Sequence, residues 1–174
     1  MAAMIDQSKS LAKGRFQALI GASAALFLQC QVASSETAPP GPNPPTNQVN
    51  IDVKDTNAME WSMLDVPQIN AKIPLKDLLA DKDTGMQIFL IKYKAGFINT
   101  WHTHPNAHGM YILEGTLVTH KGSYGPGSFV WYPEGGWMQH GASASGDVTL
   151  LFITNKKFGI KYSSEKDLPY PYYK

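Results

Sequence analysis

Four of the chain's five histidines fall in two short segments. His102, His104 and His108 lie in Trp101-His102-Thr103-His104-Pro105-Asn106-Ala107-His108, and His140 ends Trp137-Met138-Gln139-His140. Neutral imidazole suits zinc, iron, nickel, copper and manganese, whereas calcium and magnesium take oxygen donors. Residues two apart in an extended chain point the same way, so His102 and His104 project onto one face. His108 keeps that parity, with the Pro105-Asn106 step bending the strand between them. The first chemistry to expect is therefore one divalent metal ion at His102, His104, His108 and His140. An octahedral or five-coordinate metal would keep open positions there, and a tetrahedral zinc with four histidines would not. His120 sits beside the Lys121-Gly122 turn and reads as an ordinary surface or core histidine.

Short strands with turn signals must position these residues. Residues 85–93 are rich in β-branched and aromatic types and predict a strand, as do residues 109–113, 116–120, 128–132 and 147–154. Residues 97–101 lead into the first histidine segment, and residues 137–140 carry the last histidine. Val49-Asn50-Ile51-Asp52-Val53 alternates cleanly and predicts a further strand. Residues 67–74 read as an edge or connection, residues 75–79 as one helical turn, and residues 121–127 as a loop. Between residues 85 and 155 nothing reads as a long helix. The expected fold is all-β, an antiparallel sandwich or small barrel.

The N-terminal region reads differently. Lys9, Lys13 and Arg15 precede an uncharged run over residues 18–28, and small residues follow around Val32-Ala33-Ser34-Ser35. That order is the pattern of a secretory signal over residues 1–35, with an apolar run too short to be a permanent span. Cleavage near Ala33 or Ser35 would release a soluble periplasmic or secreted protein. Lipidation at Cys30, the single cysteine, would tether it instead, but Gln29 stands where a small residue is needed, so the soluble product is preferred. Residues 36–48 hold five prolines and read as an extended linker, leaving residues 49–174 as the folded domain.

Charge narrows the partners. The net charge is +1 with no basic stripe, so nucleic acid is not implied. Removing residues 1–35 takes Lys9, Lys13, Arg15 and Asp6, leaving 12 lysines against 13 acidic residues. Arg15 is the only arginine, so the remaining chain lacks the bidentate guanidinium clamp for carboxylates and phosphates. Neither a hydrolytic triad nor a phosphate-binding glycine loop is present, so any chemistry falls to the metal.

The spacing resembles the two motifs of the cupin superfamily. Gly96, His102, His104, His108 and Gly115 resemble the first motif, and Gly127, Pro133, Gly135 and His140 the second. The resemblance covers roughly residues 85–155. It implies a double-stranded β-helix, a jelly-roll barrel with one metal in its mouth, and a homodimer formed through edge strands. His108 departs from the pattern, since most metal-binding cupins carry glutamate there, and His140 falls two residues later than usual after Gly135. A four-histidine set is similar to the subgroup containing dihydroxyacetophenone dioxygenases and the cupin domain of a zinc-binding anti-sigma factor. Replacing glutamate by histidine leaves a divalent site at +2 rather than +1, which favours an anionic substrate such as an enolate.

Two functions from different classes follow. One is an iron-dependent oxidoreductase of the dioxygenase type, acting on a small aromatic or diketone-like molecule. The other is a non-catalytic cupin that senses a metal or small ligand. An isomerase would need a general base that the sequence does not identify. Trp101, Trp131, Trp137, Tyr111, Phe129 and Met138 are read as either pocket lining or barrel core. Met110 and Ile112 share the parity of His108 and should lie below the metal, while Glu114 should be a solvated turn residue.

Overall fold

A computed structural model describes residues 39, 41, 43 and 45–165. The chain divides into two compact units, residues 1–49 and 50–174, and the fold below belongs to the second. The signal expected over residues 1–35 lies outside the described residues. Among the described residues eleven strands form: β1 (Ser62–Val66), β2 (Ala71–Ala80), β3 (Gln87–Tyr93), β4 (Ile98–Thr103), β5 (His108–Glu114), β6 (Leu117–Thr119), β7 (Gly122–Tyr124), β8 (Phe129–Tyr132), β9 (Met138–Ala142), β10 (Val148–Thr154) and β11 (Lys161–Tyr162). They make a six-stranded sheet in the order β1-β2-β3-β10-β5-β8 and a five-stranded sheet in the order β11-β4-β9-β6-β7. Every pairing is antiparallel. The all-β expectation therefore holds.

Alternation explains the core. In β10, Val148, Leu150 and Phe152 point inward, and in β5 His108, Met110 and Ile112 do the same. Met110 and Ile112 thus lie where their parity with His108 placed them. Their packing, with Leu117 of β6 and Met138 of β9, removes apolar surface from water between the two sheets. Glycine is required where backbones touch. A Cβ on Gly141 of β9 would strike the backbone of Phe97 and Ile98, and Gly115, at φ +75°, would strike that of Asp147.

Three local expectations need correction. Residues 75–79 are part of β2 and not a helical turn: a bulge between Asp77 and Leu79 inserts one residue and breaks the two-residue period. Pro74 stands opposite Met63 of β1 but has no partner in β3, where pairing begins only at Leu75. Residues 122–124, read as loop, form β7 and pair with β6. Val49, Ile51 and Val53 form no strand and are exposed, because the segment finds no sheet edge to pair with.

Candidate metal centre

The histidines enter from three strands. His102 lies on β4, His104 one residue beyond its end, His108 at the start of β5 and His140 on β9. All four are buried to within 1% of full burial. Ligand-capable nitrogens of His102, His104 and His140 lie within 4.8 Å of one another. The Nε2 atoms of His102 and His140 are 3.2 Å apart. Two nitrogens at about 2.1 Å from one ion stand about 3.0 Å apart at a right angle and about 3.4 Å apart at a tetrahedral angle, so this spacing fits a shared metal.

His108 belongs to the cluster but not to that tight group. Its ring meets His104 edge-on with centroids 4.6 Å apart. It is sandwiched between Tyr132, at 4.8 Å and 15°, and Phe152, at 4.7 Å and 16°. The two stacked rings fix its plane. His120, by contrast, is exposed and packs its ring on Trp101.

Backbone carbonyls set the tautomers. The Nδ1–H of His102 donates to the carbonyl of Thr100 and the Nδ1–H of His104 to that of Gly159, each at 2.5 Å. Because a carbonyl only accepts, each of these Nδ1 atoms carries the proton and Nε2 keeps its lone pair free, the arrangement metal-ligating histidines adopt. His104 Nε2, both nitrogens of His108 and His140 Nδ1 are buried with no hydrogen-bond partner. Orphaned buried nitrogens are costly unless something fills them, and a metal ion would. Burial also disfavours the charged ring. It lowers His102 to about 4 and His108 to about 3, and it holds His104 and His140 well below the ordinary histidine range. The cluster is neutral at physiological pH, as ligation requires.

Other polar groups of the site escape sequence reading. Asn99 is three residues from His102 and would face the opposite way on a regular strand. A bulge in β4, opposite β9, turns both inward, so Asn99 Nδ2 lies 3.5 Å from His102 Nε2. The Tyr162 hydroxyl donates to Asn99 Oδ1 at 2.8 Å. Asn106 is fully buried, and its Oδ1 accepts from the backbone of Gly159, the residue that orients His104. A strand pattern contains no signal for a bulge, Asn99 and Tyr162 lie outside the histidine segments, and Asn106 lies within one but reads there as a turn residue. Glu114 is exposed at the end of β5, as expected, and contributes nothing here. Met138 is core, whereas Trp101, Tyr111, Phe129, Trp131 and Trp137 are exposed and line neither the core nor the histidine cluster.

A small cavity adjoins the cluster. Its volume is about 20 Å³, and its wall includes His104, His140, Asn99, Tyr93, Tyr162 and Phe152. Such a space admits about one water.

Two antiparallel sheets with histidines gathered between them, on strands bearing the glycine turns described, define a cupin. The family can be stated more closely: residues 50–158 match the ChrR cupin-like domain, and the chain belongs to that family. Its fold is similar to that of a candidate acetylacetone dioxygenase from Methylibium petroleiphilum PM1, with a TM-score of 0.59, 9% identity, and 73% of this chain covering 92% of that one. An RmlC-like cupin from Ralstonia eutropha JMP134 gives 0.55 at 18% identity, covering 67% of this chain and 75% of that one. The polyketide cyclase RemF from Streptomyces resistomycificus gives 0.52 at 14% identity, covering 66% and 86%. A comparison with curated proteins gives no match. Among the described residues, no helix is long and apolar enough to cross a membrane.

Proposed function

We propose that this protein is an exported metal-dependent oxidoreductase of the dioxygenase type, acting on a small diketone-like or aromatic molecule. His102, His104, His108 and His140 hold one divalent ion, with iron the metal suited to this chemistry; zinc, nickel, copper and manganese also accept such donors. The observation that carries the reading is the donor set: four buried imidazoles, three of them with orphaned nitrogens, and, among the described residues, no carboxylate grouped with them. Four neutral ligands leave a divalent ion at +2, which favours an anionic oxygen ligand. The bound ion would supply the site for substrate chelation and oxygen chemistry.

The chain's own residues orient and insulate that site. Thr100 and Gly159 fix the rings of His102 and His104 through their carbonyls. Asn99, held by Tyr162, presents an amide beside His102 and can donate to a substrate oxygen there. Ile91, Phe152 and Ile160 give the adjoining cavity an apolar wall, and its small size limits it to about one water. The activity named for the Methylibium protein is the reason to try diketones first.

A second reading, metal or ligand sensing without turnover, draws on the cavity of about 20 Å³, which is small for any organic substrate. Metal analysis of protein from its native compartment, followed by oxygen uptake of the iron-loaded protein with acetylacetone and hydroxyacetophenones, separates the two. Bound iron with substrate-dependent uptake, lost in His104→Ala, supports the enzyme. Stoichiometric zinc and no uptake after iron loading overturns it in favour of sensing. Recovery from the periplasm or medium tests export.

A further inference from the structure

The two sheets each leave a free strand on the same side of the molecule. β8 ends the six-stranded sheet and β7 ends the five-stranded one. Residues of both strands, of the β6–β7 turn and of the β8–β9 connection line a cleft of about 330 Å³. We propose that this cleft binds a planar aromatic anion, a one- or two-ring arene carboxylate, at a site distinct from the histidine cluster.

Size, surface and charge each point that way. The volume lies at the lower end of small-molecule sites, about 300–1,000 Å³, which suits one or two fused rings. Trp131 and Trp137 border the cleft while remaining 54% and 43% exposed, and Tyr124 and Tyr132 add aromatic wall. Large indoles left in water beside a concavity offer flat faces on which an arene stacks. Lys121 is the one formally charged residue of the lining, and no Asp or Glu contributes to it. Lys121 makes no ion pair among the described residues. Glu134, the acid in the β8–β9 connection, is engaged by Lys156 at 2.6 Å. An unpaired ammonium beside aromatic faces favours an anionic ring over a neutral or cationic one.

Tyr132 completes the aromatic wall. It is 95% buried, since its exposure is 5%, and its hydroxyl is sealed from the cleft, so what it offers a ligand is ring surface. The same ring stacks on His108, so a ligand in the cleft lies one ring away from the histidines.

Isothermal titration calorimetry of the full chain with naphthalene-2-carboxylate tests this, using chelator-treated protein so that the result does not depend on a metal. Naphthalene-2-methanol is the neutral counterpart. Saturable one-to-one binding of the carboxylate is expected, weakened at least fivefold in Lys121→Gln and at least tenfold in Trp137→Ala. The alcohol should bind more weakly than the carboxylate and be indifferent to Lys121→Gln. Thermal unfolding of both variants should match that of the parent, as expected for exposed positions. No saturable binding at millimolar concentration overturns the proposal, as does binding that both variants leave unchanged. Binding that appears only when metal is restored places the ligand on the metal and also overturns it. Equal affinity for the alcohol overturns the anionic class.

Discussion

Acidification from pH 7 to pH 5 should destabilise the metal-free protein by about 4 kcal/mol through His102 and His108 alone. In the unfolded chain these rings take up protons around the ordinary value of 6.5. In the folded protein burial keeps them neutral down to about 4 and about 3. Between those limits the unfolded state binds more protons, so stability falls as pH falls. The contribution is complete above 6.5 and is lost progressively below it. Integrating from pH 7 to pH 5 gives about 1.8 kcal/mol for each ring. His104 and His140 are shifted in the same direction and add to the loss. Asp81 and Asp147, both lowered below their ordinary value of 3.8, stay ionised throughout and do not mask it. With a urea slope of about 2 kcal/mol per M, the unfolding midpoint should drop by about 2 M. Tryptophan fluorescence of chelator-treated protein in urea at both pH values measures this. A midpoint at pH 5 within about 0.5 M of that at pH 7 would refute the view that the rings are buried in their neutral form.

Other perturbations separate the parts of the structure. His102→Ala and His104→Ala should each abolish tight metal binding while His120→Ala leaves it; equal loss in all three, by metal analysis after dialysis, would contradict the assignment. Tyr162→Phe removes the donor that holds Asn99 and should weaken metal binding about tenfold with little loss of stability, measured by competition with a chromophoric chelator. Gly141→Ala forces β9 from the Phe97 backbone and should cost more than 2 kcal/mol in urea. Gly109→Ala clashes with the ring of Phe129, which is exposed and can swing away, and touches Trp131 only at ordinary contact distance, so it should cost less than about half as much. Phe152→Ala should cost about 3–5 kcal/mol and also loosen His108, whose stacking partner it removes.

Much of the fold was legible because β3, β5, β8 and β10 are rich in β-branched and aromatic residues, with glycine marking turns beside them. The errors share a cause. Alternation describes a face, not a partner, so Val49-Ile51-Val53 had the pattern of a strand without an edge to join. A bulge erases the period locally, which disguised β2 and hid Asn99 beside His102. β7 is three residues long and holds Gly122, too short for any periodicity. The histidines could be found by spacing, since His104 directly follows the strand that carries His102, and the orphaned nitrogens agree with that reading. Their orienting groups could not, because the carbonyl of Gly159 is 55 residues from His104 and reaches it only through the fold.

His102, His104 and His140 all belong to, or directly follow, strands of the five-stranded sheet; His108 alone is contributed by the six-stranded one. An ion held by the first three is a pin within one layer. An ion that also engages His108 becomes a cross-link between layers, in a chain that has no cysteine after Cys30 from which to build a disulfide. The two cases differ mechanically more than chemically. In the cross-linked case, metal binding should slow global unfolding and proteolysis of both sheets together, and His108→Ala should erase that protection while leaving an ion still bound.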